Sequence, residues 1–201
     1  MRIRTALAAA GLLAALVAGC GVPADDEPRA ISQDQEPSQE TPEDTSEGMT
    51  GTATLFLTRF DGTDNRLSPV ELEVPVGASS TLPTPATALE ALLGDIPDQA
   101  LQADGFGSAI PPNTRLVSAP TLDRDGVLTI DINEPLYRMQ APNSSVAFGQ
   151  IVCTADAFDE VTSVRFNLEG VARAAPMGDG ESSSDPLACT AYANLLEAAT
   201  G

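Results

Sequence analysis

The chain has 201 residues, with 29 acidic and 10 basic side chains, the basic ones all arginine, for a formal net charge of −19; lysine, histidine and tryptophan are absent. A field this negative repels a phosphate backbone and argues against nucleic-acid binding. The lack of histidine removes the Ser-His-Asp triad, the Cys-His pair and the commonest zinc ligand together.

Met1-Arg2-Ile3-Arg4 is a short basic start, and residues 6–17 form an apolar run rich in Ala and Leu. At about a dozen residues this run is short for a permanent membrane helix and suits the hydrophobic part of a signal peptide. It ends in Val17-Ala18-Gly19-Cys20, which resembles the lipobox of bacterial lipoproteins. The resemblance implies a signal peptide over 1–19 and a diacylglycerol thioether on Cys20. Cys20 is then the lipid-attachment residue, and the chain sits at the extracytoplasmic face of a cell membrane. Residues 20–50 carry nine acids, one Arg and prolines at 23, 28, 37 and 42, with no apolar period. Such a segment cannot offset its ordering entropy, so it reads as a disordered acidic tether of roughly 30 Å root-mean-square span.

The expected folded part is a single small α+β domain over 51–175. It has a mixed or antiparallel sheet and two packed helices, and a C-terminal loop and helix follow over 176–201. Residues 52–60 are rich in β-branched and aromatic side chains and read as a strand; Asp61-Gly62 supplies a turn. Residues 70–76 alternate apolar and acidic, with Pro69 and Pro75 placing that strand at an edge. Thr84-Pro85 opens a helix with Thr as N-cap, Thr87 and Glu90 offer an alternative capping box, and Gly94 stops it. Residues 95–113 read as a surface loop with one short turn. Asp125-Gly126 joins a strand over 116–122 to one over 127–132. A second helix starts near Asn143 and runs to Phe158. Ala147, Phe148, Ile151, Val152, Ala155 and Phe158 lie on one face, with Cys153 nearly opposite. Val164, Phe166 and Leu168 alternate as a last strand. Asp156, Asp159 and Glu160 read as solvated charge. After a Gly/Ser loop, Asp185-Pro186 caps a tail helix over 187–199, with Cys189, Tyr192, Ala193 and Leu196 on one face.

With Cys20 lipidated, Cys153 and Cys189 remain as an even pair in an oxidising compartment. A disulfide between them would staple the tail over the outer face of the second helix, worth roughly 3–4 kcal/mol on the loop-entropy account; two free thiols are the other reading. Residues 123–134 gather the carboxylates that most resemble a site. A calcium loop with Gly126 in sixth place would need ligands at Thr121 and Ile132, and both fail. Asp131 and Glu134 could form a carboxylate pair for glycoside cleavage. Acids beside a hairpin more often shape the turn. No catalytic residue, metal site or cofactor is expected.

Pro111-Pro112-Asn113-Thr114-Arg115-Leu116, the run Asp125-Gly126-Val127-Leu128-Thr129-Ile130-Asp131-Ile132, the helical Gln150-Ile151-Val152 and Phe166-Asn167-Leu168-Glu169-Gly170 together resemble the GerMN domain. That domain is named for sporulation and germination proteins, and the likeness covers about residues 53–175. The lipobox with Gly21-Val22-Pro23 and Pro28-Arg29-Ala30-Ile31 is also similar to LpqB-type actinobacterial lipoproteins. The resemblance implies a non-enzymatic envelope module in assembly, sporulation, wall remodelling or signalling support. Its partners would be the membrane, through Cys20, and an envelope protein or cell-wall component. The alternative is a small-ligand binder or carboxylate-dependent envelope hydrolase centred on Asp131 and Glu134.

Overall fold

Strand β1 (Thr50–Phe60) and strand β2 (Asn65–Pro75) make a long antiparallel hairpin in register from Thr50 opposite Pro75 to Phe60 opposite Asn65. The structure is a computed structural model and describes residues 49–77, 80–94, 96 and 98–197. The expected signal peptide over 1–19, lipid attachment at Cys20 and acidic tether over 20–50 fall almost wholly before Met49, outside the described residues. The hairpin turn is held by Asp61, whose Oδ1 accepts from the backbone N–H groups of Thr63 and Asp64, each at 2.8 Å.

The parity of this ladder explains its prolines. Val76 N–H donates to Met49 O at 2.9 Å. Thr50–Pro75 is therefore a pair without mutual hydrogen bonds, and so is every second pair after it, including Phe56–Pro69. At those places the backbone groups point away from the partner strand. Pro69 and Pro75 consequently forfeit no ladder bond, and β2 is an edge strand of a three-stranded sheet in the order β2-β1-β3. Strand β3 (Phe106–Gly107) pairs with β1 at Thr58 and Arg59.

Helix α1 (Pro85–Leu93) starts as Thr84-Pro85 predicts. The Thr84 hydroxyl accepts from Thr87 N–H and the Thr87 hydroxyl accepts from Thr84 N–H, so the capping box closes between those two threonines and not between Thr87 and Glu90. Residues 95–113 carry more structure than a loop: a short helix α2 (Gln99–Ala103) capped by Asp98, and β3.

The second sheet has the order β4-β5-β6-β7. It comprises β4 (Thr121–Leu122), β5 (Val127–Ile132), β6 (Ser163–Leu168) and β7 (Val171–Arg173). The β5 and β6 strands are parallel, and helix α3 (Asn143–Asp156) is the crossover between them. The strand expected over 116–122 is broken. Leu116 bridges Ile132 and Thr121 pairs with Thr129, so five steps on one strand face three on the other and Ser118-Ala119-Pro120 bulges out. The Asp125-Gly126 turn is as read: Asp123 Oδ1 accepts from Asp125 and Val127 N–H, and Gly126 takes φ +79°.

Helix α3 sits between the two sheets, beside α1, and under the chain's tail. It is buried on every side from Ser144 to Ala155, where the sequence pattern gives it a solvent face. Cys153 is therefore buried and not outward. Phe158 lies beyond the helix end and is half-buried. The hairpin supplies Leu55, Leu57 and Leu67 to the core, α1 supplies Leu89 and Leu92, and the second sheet supplies Ile130, Ile132 and Phe166. Phe148 stands edge-on to both Phe166 and Tyr137, at 4.9 and 5.2 Å between ring centroids.

Over its described part, 187–197, the tail is not an α-helix. Strands β8 (Ala175–Pro176) and β9 (Ser182–Ser183) pair, and Cys189–Leu195 is a 3-10 segment kinked at Tyr192. Tertiary contacts at both ends override helix propensity. Leu187 exchanges two 2.8 Å backbone bonds with Val164, and Glu197 N–H donates to Leu67 O at 2.9 Å. Cys189, Tyr192, Ala193 and Leu196 accordingly do not share a helical face.

Candidate functional site

Two devices fix the surface that the domain presents. The first is Gln150, fully buried on α3. Its Oε1 accepts from Ala109 N–H at 2.7 Å and its Nε2 donates to Phe56 O at 3.1 Å. One turn later Thr154 Oγ1 accepts from Phe56 N–H at 2.9 Å. Phe56 is one of the β1 residues whose backbone points away from β2, so α3 completes the β1 edge with two side chains. Asn133 does similar work: Oδ1 accepts from Arg115 N–H at 2.9 Å and Nδ2 donates to Asn113 O at 2.8 Å. It holds the turn Pro111-Pro112-Asn113-Thr114, in which Thr114 N–H reaches Pro111 O and Asn113 takes φ +66°.

The second device is the tail. Cys153 and Cys189 form a disulfide, with Cα atoms 4.6 Å apart. Tyr192 is fully buried and its hydroxyl donates to Pro176 O at 2.8 Å. Burial raises its pKa above the ordinary tyrosine value. Gly149 lets α3 approach closely: a Cβ there would meet Leu67 Cδ1 at 2.8 Å and Tyr192 Cδ1 at 3.0 Å. Arg66 Nη1 donates to Asn194 O at 2.7 Å, and its Nε donates to Asp61 Oδ2 at 2.9 Å. The Asp61 carboxyl is held down to about 2 by the Asp64 N–H, the Arg66 guanidinium and the Thr63 N–H, in that order. Asp156, near the disulfide, is half-buried and not simply solvated: burial raises its pKa, opposed by the Cys189 backbone.

Among the described residues, three clefts stand out on this frame. One of about 350 Å³ lies between the β1–β2 turn, the start of α3 and Asn194-Leu195 of the tail. A second, of about 270 Å³, lies between the end of α1 and Ser108 to Asn113. The third is the widest, about 540 Å³, between Thr52-Ala53-Thr54 of β1, the stretch from Ser80 to Thr84, and Ala157 to Glu160 after α3.

The predicted site residues separate. Asp131 Oδ1 accepts from Gly170 N–H at 3.0 Å, in the tight β6–β7 turn where Glu169 and Gly170 both take positive φ. Glu134 forms an exposed ion pair with Arg138 at 2.7 Å. Each carboxylate has its own separate partner, and neither lines any of the three clefts. Sequence reasoning missed the widest cleft. Its walls come from three distant segments, and the only local signals are an apolar Leu82 beside Pro83 and paired acids directly after a helix.

A family model described as sporulation and spore germination, named Germane, matches residues 54–173. Among solved structures, the first GerMN domain of the sporulation protein GerM from Bacillus subtilis superposes with a TM-score of 0.54 at 20% identity, covering 69% of this chain and 98% of that one. The tandem GerMN domains of the same protein give 0.55 at 20% identity. There this chain spans about half of the longer structure, 46%, and 69% of itself is covered. No curated protein matches the sequence.

Proposed function

The chain belongs to the Germane family of sporulation and spore germination domains, and on that premise we propose that it is a lipid-anchored envelope protein whose α+β domain binds another envelope component and catalyses no reaction. Cys20 carries the lipid, residues 20–50 hold the domain off the bilayer, and the domain works at the extracytoplasmic face. The observation that carries the binding reading is how the domain uses its polar side chains. Asp123, Asp131, Asn133, Gln150 and Thr154 all hold backbone groups in place. Side chains so engaged build a rigid surface, and a rigid surface lowers the ordering cost of association. Asp131 and Glu134 would have to converge on one bond for glycoside chemistry; their separate partners weigh against the hydrolase alternative.

Two experiments test this reading. Metabolic palmitate labelling is expected on the wild-type chain and lost in Cys20→Ala; undiminished labelling would sink the anchor. Crosslinking on the native envelope followed by mass spectrometry is expected to recover a specific partner, and recovery of none from repeated envelopes overturns the binding role.

A further inference from the structure

The widest cleft differs from the other two in its charge. Threonine and serine line part of it, and an apolar strip runs along it from Ala53 and Pro83 through Leu82 to Ala157 and the half-buried Phe158 ring. Leu82 is 71% exposed, the most exposed large apolar side chain of the folded domain. Its rim is acidic. Asp159 and Glu160 line one side, both exposed. Glu71 and Glu73 stand across the ladder from Thr54 and Thr52 on the same face of the hairpin, also exposed. The C-terminal end of α3 at Asp156 opens towards Ala157, adding the partial negative charge of a helix terminus. Among the described residues, no arginine lines this cleft. The cleft at the β1–β2 turn, by contrast, contains Arg66 already paired with Asp61.

We propose that this cleft docks a segment of a partner protein that presents an aliphatic or aromatic side chain between lysine or arginine residues. The apolar side chain lies on Leu82, Phe158 and Ala157, and the flanking cations face Asp159, Glu160, Glu71 and Glu73. The inference rests on the binding role proposed above and gives it a surface and a partner chemistry. Charge complementarity selects the occupant. An anionic or neutral segment would leave the Asp159 and Glu160 carboxylates crowded at a closing interface, whereas a cationic one relieves their mutual repulsion. The exposed leucine supplies what charge alone does not, a buried centre inside a polar rim.

The test uses the full chain in detergent and a short fluorescein-labelled peptide alternating lysine and leucine, followed by fluorescence anisotropy. Asp159→Asn with Glu160→Gln is expected to weaken binding about ten-fold, with a reduced salt dependence. Leu82→Ser leaves the charge unchanged and is expected to weaken binding about five-fold. Asp104→Asn with Asp185→Asn removes two exposed acids that line none of the three clefts and is expected to change binding less than about two-fold. Equal weakening by both acid pairs, or no effect of Leu82→Ser, overturns the proposal, because the peptide would then follow bulk charge. All the substituted residues are exposed, so the variants are expected to melt like the parent chain. Envelope crosslinks that persist in the variants would refute the cleft and leave the binding role standing. A parent chain that binds the peptide through these cleft residues yet yields no specific envelope crosslink would do the reverse.

Discussion

Gln150 does for the inner edge of β1 what a neighbouring strand would otherwise do, and with Thr154 it occupies both backbone groups of Phe56. Replacing it with leucine keeps the bulk but leaves Ala109 N–H and Phe56 O without partners. The expected cost is about 2–4 kcal/mol by urea denaturation. Ser145, also buried on α3, has no hydrogen-bond partner for its hydroxyl among the described residues. Ser145→Ala should therefore be neutral or stabilise the domain by up to about 1 kcal/mol in the same titration, the opposite sign to Gln150→Leu. Asp61 gives a pH signature. Its folded pKa lies near 2, below the ordinary 3.8. A carboxylate lowered on folding contributes stability above its unfolded value and loses it as pH falls through the folded one. The difference in Tm between the chain and Asp61→Asn should hold constant above about pH 5 and close as pH approaches about 2.

At the scale of elements, the tail behaves as a strap across α3, fixed at Val164, at Cys153 and at Leu67. Reducing the disulfide should lower stability by about 3–4 kcal/mol and speed amide exchange at Ala191 and Glu197 before the β5–β6 core exchanges. Gly149→Ala should cost about 1–3 kcal/mol by the same measure, because the added methyl meets Leu67 and the rigid Tyr192 ring. What was legible in the sequence follows the range of the forces. Thr84-Pro85, Asp125-Gly126 and the alternation of β2 and β6 rest on local chemistry, and each stands where it was read. The strand expected over 116–122 and the tail helix give way because distant partners decide them: Ile132 sets the bulge, and Val164 and Leu67 hold the two ends of the tail. Cys153 lies opposite the apolar stripe of the helical wheel, and the tail that the disulfide holds over that face buries it. The pairing of Cys153 with Cys189 was legible through compartment arithmetic, whereas no periodicity brings Leu82 to Phe158.

For the whole molecule, the exposed length of β2 is a standing invitation to strand addition. The backbone groups of Leu67, Pro69, Glu71, Glu73 and Pro75 face outward there. Glu197 takes the Leu67 carbonyl, two prolines offer no N–H, and two glutamates charge the remainder. Pro69→Val combined with Glu71→Val and Glu73→Val should make the chain self-associate in sedimentation, while the parent stays dispersed at the same concentration. The two ends of the described unit also meet this hairpin in a definite way. The chain enters at Thr50, and Glu197 is held at Leu67, opposite Thr58. These points lie eight residues apart along the strands, about 27 Å. A pull between the ends therefore drags β1 lengthwise against β2 and α3, so its hydrogen bonds must yield together and not one after another. Beyond that first yield, the bond between Cys153 and Cys189, which are 36 positions apart, withholds about 120 Å of chain from extension. In single-molecule terms the domain is a stiff, short-stroke link, whose lifetime under load is set by its unfolding rate and not by its equilibrium stability.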